Sequence, residues 1–342
     1  MEAVDVRGRF VWHQLMTRDV PGAKKFYSKL VGWKMQPWPP DPNYTVCHAE
    51  VGPVAGIMEI PAQLPADVPA HWLQYIGTRD VDATADAAVR AGGSVMKAPS
   101  DMQGAGRYAV LKDPLGAVFA IINPENARPD TSGVPPLGTF SWHELATSDH
   151  EAAFAFYSGL FGWDAISRMN MGPAGIYLIF GQNGVQRGGI YIKPADWPAP
   201  PNWMPYAHVP NTDKGFALAK GTGAKELVAP MDVPGGSRIA SLVDPGGAAF
   251  AIHSMPAAGA KPEPAGQPAA KKPKAAAPAK KPPAKKVAAK TARKPASKAA
   301  KKKASPRKKV VKKAARRVMK KAAPKKKKAA KKQAKSGARR KK

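Results

Sequence analysis

Phe10-Val-Trp-His-Gln-Leu-Met-Thr-Arg-Asp19 recurs further along the chain as Phe140-Ser-Trp-His-Glu-Leu-Ala-Thr-Ser-Asp149. Three more blocks repeat in the same order, at an offset of 130 to 131 residues. They pair residues 26–33 with 156–163, 72–75 with 203–206, and 107–116 with 238–247. Four matching blocks in one order predict two copies of a single domain.

Each copy shows the pattern β-α-β-β-β twice. In the first half of the first copy, a short apolar strand ends at Asp19, a residue type that caps helices, and Pro21 falls in the first helical turn. In the second half, we predict a strand at residues 72–76 and an alanine-rich helix that Asp82 caps. A turn at 113–116 then joins the last two strands.

The fold class is therefore α+β, with two tandem domains that each combine two βαβββ modules. We place the first domain at 8–125 and the second at 138–255, joined by a Pro/Gly/Ser/Thr-rich linker at 126–137. Residues 256–342 consist mostly of Ala, Lys and Pro, without an aromatic residue, and predict a disordered basic tail.

The charge is divided very unevenly along the chain. Residues 261–342 hold 29 Lys and 6 Arg against the single acid Glu263, a net charge of +34, whereas the whole chain has a net charge of +31. The other 20 basic and 23 acidic side chains leave the first 260 residues at a net charge of −3. The sequence thus predicts a mildly acidic folded part with a polycation attached.

Several classes of protein are disfavoured by composition. Cys47 is the only cysteine, which excludes an intrachain disulfide and suggests a reducing compartment. The N-terminus lacks a basic segment followed by a long apolar run, and no stretch approaches the ~18 apolar residues that a membrane span needs. We therefore predict a cytoplasmic protein of bacterial type, without a transmembrane segment.

The repeated blocks resemble the vicinal oxygen chelate superfamily, which includes glyoxalases, extradiol dioxygenases and bleomycin-resistance proteins. Three features carry the resemblance in both copies: the opening strand ending in Thr-x-Asp, the helix end Phe-Tyr-x-x-Leu-x-Gly-Trp, and the turn Asp-Pro-x-Gly. The resemblance implies that each copy folds into an incomplete barrel around a cleft. In metal-dependent relatives, a His or Gln, a His and a Glu hold a divalent ion there.

Carried over to this chain, those three positions lack metal-binding side chains. They fall on Trp12, Leu73 or Gln74, and Ala120 in the first copy, and on Trp142, Met204 or Pro205, and Ala251 in the second. We therefore predict no metal and no other cofactor.

A shift of one residue would bring His13 and His143 to the first position. Strand alternation instead points both histidines to the helix side of the sheet. Glu59 is the one carboxylate that could reach a cleft, although a solvated strand residue is the more frequent case. His71 and His208 are interpreted as loop or rim residues.

Without a metal, the predicted cleft has an indole on its floor and one polar side chain two residues further on. Aromatic walls with a few polar groups are typical of small-molecule sites. A core filled by the two tryptophans is the equally weighted alternative. Glu144 is the candidate catalytic acid or base, because burial against an indole would raise its pKa. The predicted cleft residues are Trp12, Gln14, Trp142, Glu144, and, at the mouth, Arg107 and Arg238.

The tail resembles the C-terminal tails of linker histones and of bacterial histone-like proteins. A polycation releases condensed counterions from DNA, and lysine suits phosphates rather than base edges. We predict DNA binding without sequence specificity, with RNA, polyphosphate and anionic membranes as other polyanions, and a nucleoid association as its consequence. A tail that only confers solubility is the alternative without a DNA role. The predicted contacts are Lys301, Lys302, Lys303, Arg307, Lys308, Lys309, Lys312, Lys313, Arg316, Arg317, Lys325, Lys326, Lys327 and Lys328.

Three functions from different classes follow. The first is a metal-free small-molecule-binding protein tethered to nucleic acid by its tail. The second is a metal-dependent lyase, isomerase or dioxygenase of the glyoxalase kind, which the missing ligands disfavour. The third is an architectural nucleoid-associated protein whose folded part contacts other proteins.

Overall fold

The computed structural model describes residues 4–130, 134–197 and 199–255. The tail residues singled out above lie outside these ranges. The four α-helices of the described chain are α1 (Val20–Leu30), α2 (Val81–Arg90), α3 (His150–Phe161) and α4 (Thr212–Gly221), and a short 3-10 helix covers Gly172–Ala174. None of the helices in these ranges is long and apolar enough to cross a membrane.

The strands form two sheets of the same design. Those of the first sheet are β1 (Phe10–Thr17), β2 (Lys34–Trp38), β3 (Asp41–Ala49), β4 (Gly52–Glu59), β5 (His71–Gly77), β6 (Ser94–Met102), β7 (Gly106–Lys112) and β8 (Val118–Pro124). Those of the second sheet are β9 (Phe140–Thr147), β10 (Asp164–Asn170), β11 (Ile176–Gln182), β12 (Val185–Ile192), β13 (Asn202–His208), β14 (Lys225–Asp232), β15 (Arg238–Val243) and β16 (Ala249–Ser254).

Each sheet joins two modules side by side. The strand order is β2-β3-β4-β1-β5-β8-β7-β6 in the first sheet and β10-β11-β12-β9-β13-β16-β15-β14 in the second. β1 runs parallel to β4 of its own module and antiparallel to β5 of the next module. β2 and β6 remain the edges, so the sheet is open rather than a closed barrel. The predicted α+β class and the paired modules are confirmed.

The helix starts follow local capping chemistry. The Asp19 side chain accepts a hydrogen bond from the Gly22 amide at 2.8 Å, as predicted for an N-cap. At α2 the prediction is wrong by two residues, because Asp80 and not Asp82 is the cap and accepts from the Ala83 amide at 2.9 Å. Asp82 lies inside the first turn, where its carboxylate is available to a neighbouring strand.

The hydrophobic cores are shared between the repeats. One core combines the first module of the first repeat with the second module of the second, and the other core combines the two remaining modules. The Tyr27 hydroxyl donates to the Asp244 carboxylate at 2.9 Å and accepts from the Trp72 indole at 3.0 Å. The equivalent contacts of Tyr157 reach Asp113 and Trp203. The repeated sequence blocks thus encode the junction between the repeats.

Two histidines meet at the centre of this junction. His13 and His143, at equivalent positions in β1 and β9, are both buried, with their Nε2 atoms 2.7 Å apart. Phe140 stacks on His13 and Phe10 stacks on His143. Both side chains lie on the helix side of their sheets, as strand alternation predicts. Since the Nε2 atoms are in contact, one imidazole must donate and the other accept.

Candidate functional site

We refer to the cluster of Trp12, Gln14, Tyr44, Met58 and Tyr75, on the sheet face opposite the helices, as the first cleft, because it contains the residues predicted to line one. The Trp12 indole donates to the Tyr44 hydroxyl at 2.8 Å. The Gln14 carbonyl oxygen accepts from Tyr75 at 3.0 Å and from Tyr44 at 3.4 Å, and its amide nitrogen approaches the Met58 sulfur. The amide group at the centre is therefore held in one orientation by its neighbours.

The second cleft is the equivalent cluster of Trp142, Glu144, Tyr177, Tyr191 and Tyr206. The Trp142 indole donates to the Tyr177 hydroxyl at 2.8 Å. Tyr177 and Tyr206 donate to the two carboxylate oxygens of Glu144, each at 2.6 Å. Charge-assisted hydrogen bonds of this length fix the carboxylate firmly.

Two strand glycines make room for these rings. A side chain added at Gly56 in β4 would collide with the Tyr44 hydroxyl, and one added at Gly189 in β12 would collide with the Tyr177 ring. Each glycine lies beside the central polar residue of its cleft, because Gly56 is the register partner of Gln14 and Gly189 that of Glu144. The absence of a side chain lets each tyrosine lie against the sheet and reach the polar residue.

Glu144 has an unusual environment for a carboxylate. Burial raises its pKa above the usual value, and the hydrogen bonds from Tyr177 and Tyr206 partly offset that effect. Burial also raises the pKa of the Tyr177 and Tyr206 hydroxyls, and both stay protonated as donors. None of the ion pairs in the part of the chain that the structure describes involves Glu144.

The positions that would hold a metal do come together, but they carry no ligands. Tyr206 is the register partner of both Trp142 and Ala251, and Met204 is that of Glu144. The same pairings join Trp12, Leu73 and Ala120 in the first repeat. Indole, alkyl and methyl groups do not ligate a hard or borderline divalent ion, and a thioether is a soft ligand. These residues do not fit the metal that the family resemblance implies.

Other potential ligands are placed elsewhere. Within the described ranges, no three His, Cys, Asp or Glu side chains are grouped so that they could hold a metal ion. Glu59 is exposed at the end of β4 and continues the alternation of Ala55 and Ile57, which pack in the core on the helix side. His71 begins β5 and contacts the Pro69 carbonyl oxygen. His208 ends β13, buried against the Pro135 carbonyl oxygen, so its interpretation as a loop or rim residue is wrong.

The structure does not bring Arg107 and Arg238 to the clefts. Arg107 alternates with Tyr108, which lies on the cleft side, and pairs with Asp82 in the first turn of α2 and with Asp101 in β6. Arg238 pairs with Asp213 and Asp232 in the same way. The expected placement fails because strand alternation puts each arginine on the helix side of the sheet, where an acidic residue in the first helical turn pairs with it.

The sequence interpretation missed the tyrosines that complete each cleft. Tyr75 and Tyr206 entered the sequence analysis only as parts of repeated blocks, although each lies two residues after Leu73 or Met204, a candidate for the second metal-ligand position. Tyr44 and Tyr177 occupy equivalent places in β3 and β11, where the spacing between repeats is 133 residues because of loop insertions. Strand alternation applied to every strand, and not only to the opening one, would have indicated them.

Two surface depressions lie away from the clefts. One of about 350 Å³ is lined by arginines and aspartates that include Arg9, Asp130 and Arg187, and another of about 300 Å³ lies between α2 and α3. Asp130 forms ion pairs with Arg9 and Arg187, so the charges of the first depression are largely satisfied internally. Neither depression includes a residue of the two clefts.

Known proteins resemble this chain across both repeats. The chain is 33% identical over 245 residues to the "Putative glyoxylase CFP32" of Mycobacterium tuberculosis, which covers 70% of this chain and 92% of that protein. It is 30% identical over 265 residues to the "Anthracycline biosynthesis protein DauV" of Streptomyces sp. (strain C5), covering 72% and 94% respectively.

Solved structures share the fold at low sequence identity. The Mn(II)-bound glyoxalase from Novosphingobium aromaticivorans superimposes with a TM-score of 0.54 at 18% identity, covering 72% of this chain and 82% of that one. The 2,3-dioxygenase LapB from Pseudomonas sp. KL28 gives 0.53 at 10% identity, covering 76% and 98%. The model of the Glyoxalase/Bleomycin resistance protein/Dioxygenase superfamily matches residues 9–121 and 139–252. With both of its repeats matched, the chain belongs to that superfamily.

Proposed function

We propose that the folded part binds small organic molecules in its two clefts without a metal ion. The observation that carries this proposal is the pair of oriented networks, Trp-Tyr-Gln-Tyr in one cleft and Trp-Tyr-Glu-Tyr in the other. Trp12, Trp142 and Glu144 remain partly exposed, which supports a site open to ligands over a filled core. Apolar walls around one fixed polar group are what a small-molecule site requires.

Metal-dependent catalysis is the alternative function, because the superfamily includes metal-dependent enzymes. The names of the relatives refer to a glyoxylase, to anthracycline biosynthesis and to dioxygenases. Against such an activity stand the side chains at the three ligand positions, none of which supplies an imidazole or carboxylate. A metal-free acid or base role remains available to Glu144, because its pKa is raised and it is reachable from the cleft.

Binding can be tested by melting the full chain with a library of small aromatic and polycyclic compounds, in buffer that contains a metal chelator. We expect some compounds to raise the melting temperature. Replacing Tyr75 and Tyr206 together by alanine should abolish those shifts, since both rings hold the central polar groups. If compounds bound only after Mn, Ni, Zn or Fe was added, the metal-free proposal would be overturned.

We further propose that residues 261–342 bind DNA through its phosphates and so bring the cytoplasmic protein to the nucleoid. The support is the charge of this segment, 29 Lys and 6 Arg against one acid. A gel shift across a salt series should compare the full chain with a chain ending at residue 260. The full chain should bind tightly at low salt and lose affinity steeply as salt rises. Equal affinity of the two chains would refute this role.

A further inference from the structure

The two clefts differ in charge although they share a design. Gln14 at the centre of the first cleft is replaced by Glu144 in the second, and Met58 is replaced by Tyr191. The repeats therefore offer an internal comparison in which backbone, tryptophan and two tyrosines stay constant. What varies is the charge of the central group and the number of rings around it.

The second cleft contains a carboxylate without a cationic partner. Glu144 takes part in none of the ion pairs among the described residues. Its neighbours Tyr177 and Tyr206 are neutral hydrogen-bond donors. Each donor occupies one acceptor position, and a carboxylate offers about four. The remaining positions can accept hydrogen bonds from a bound ligand.

Aromatic rings surround this carboxylate. Tyr177 and Tyr191 stack with their centroids 6.2 Å apart. Tyr206 in β13 donates to the carboxylate, and Trp142 in β9 donates to the Tyr177 hydroxyl. Ring faces attract ammonium groups, most strongly where water is excluded. A carboxylate among four rings is suited to a positively charged organic group.

The first cleft contains no carboxylate, and the charged group recorded beside it is a lysine. The Lys97 ammonium lies over the Tyr108 ring at 4.5 Å from its centroid, and Tyr108 packs near Tyr75. The equivalents of Lys97 and Tyr108 in the second repeat are Val228 and Ile239. The first cleft thus has a neutral amide at its centre, and an exposed ammonium lies over a ring that neighbours Tyr75, so nothing in it offers a counter-charge to a cation.

We propose that the second cleft binds a small organic cation, an amine or quaternary ammonium carried on an apolar body. Glu144 supplies the counter-charge, and Trp142, Tyr177, Tyr191 and Tyr206 supply the ring faces. The first cleft does not share this preference. The inference rests on the proposed function, because it names the ligand class of a cleft that is there proposed to bind small molecules.

The test uses three probes of one shape on the full chain: 1-naphthylmethylamine as the cation, 1-naphthylmethanol as the neutral form, and 1-naphthoate as the anion. Isothermal titration should show the cation binding at least about ten-fold more tightly than the alcohol, equivalent to about 1.4 kcal/mol. Glu144→Gln keeps the side-chain size and an acceptor oxygen, and should weaken binding of the amine much more than binding of the alcohol, which removes most of that preference.

Two further variants keep the result interpretable. Tyr191→Met gives the second cleft the residue of the first, and should weaken cation binding even if Glu144→Gln folds poorly. Glu59→Gln removes one exposed negative charge on the helix side, and should change nothing beyond a small long-range effect.

The outcomes separate the two proposals. Equal binding of amine and alcohol, unaffected by Glu144→Gln, would overturn the cation preference while leaving small-molecule binding intact. Tighter binding of the anion would also overturn it. Failure of every probe to bind at millimolar concentration would overturn the cation site, while the melting experiment with the compound library decides small-molecule binding separately.

Discussion

The buried histidine pair should make folding stability depend strongly on pH. Burial lowers the pKa of His143 to about 3, and burial together with the neighbouring His143 holds the pKa of His13 well below its usual value. The unfolded chain titrates near 6.5, and therefore binds more protons than the folded chain between these values. The stabilisation is complete above pH 6.5 and is lost as the pH falls toward 3.

The expected magnitude follows from the pKa difference. A pH of 4.5 lies roughly two units below the pKa of a histidine in the unfolded chain. Protonation of His143 in the unfolded chain therefore lowers the free energy of unfolding by about 2.7 kcal/mol at this pH. Burial raises the pKa of Asp113 and Asp244 at the same junction. Their effect has the opposite sign, because the folded state takes up their protons first. Comparison of variants is therefore needed to isolate the histidine contribution.

Urea unfolding of the full chain, followed by tryptophan fluorescence from pH 7.5 to 4.5, measures this dependence. His143→Gln keeps a hydrogen-bonding group at the junction and removes the titration. Its free energy of unfolding should fall less steeply below pH 6.5 than that of the wild type, by up to about 1.4 kcal/mol per pH unit. His71→Gln, at the start of β5, serves as the control and should follow the wild type. Identical slopes for wild type and His143→Gln would refute the reasoning.

Three other perturbations have defined outcomes. Tyr27→Phe leaves the buried Asp244 carboxylate short of a donor, so chemical denaturation should show a loss of about 1–3 kcal/mol, and an unchanged midpoint would contradict the proposed junction. Gly189→Ala should displace Tyr177 and weaken ligand binding in the second cleft in titration calorimetry, whereas full retention of affinity would mean that the Tyr177 ring is not required. Arg107→Ala should leave ligand affinity and the urea midpoint of unfolding nearly unchanged, because its ion pairs are largely exposed; a loss of affinity would place it in the cleft after all.

Much of the architecture could be predicted from the repeats. Strand alternation placed Trp12, His13 and Gln14 on the correct faces of β1, because side chains on a strand alternate strictly. The Asp-Pro-x-Gly and Gly-Trp blocks were interpreted only as local turn and helix-end signals. Their roles at the junction, such as the contact of Tyr27 with Asp244, join residues far apart in sequence that no local pattern connects.

The sequence indicated only part of the candidate site, because the remaining residues lie on strands far from the opening strand in sequence. The central residues Gln14 and Glu144 follow from one strand, whereas the tyrosines come from strands whose register depends on loop lengths that differ between repeats. Arg107 was misplaced because alternation was not applied along β7: Tyr108 faces the cleft, so Arg107 faces α2 and pairs with Asp82.

The central claim is that these clefts function without a metal ion. Its most direct test is the metal content of the purified full chain, measured together with its melting temperature in Mn²⁺, Ni²⁺, Zn²⁺ and Fe²⁺. We expect no stoichiometric metal and no shift specific to one ion, because the three ligand positions of each repeat hold Trp, Leu or Met, and Ala. One tightly held ion per repeat, with a melting temperature that falls on chelation, would contradict the account and make His13, His143 and Glu144 the first residues to mutate.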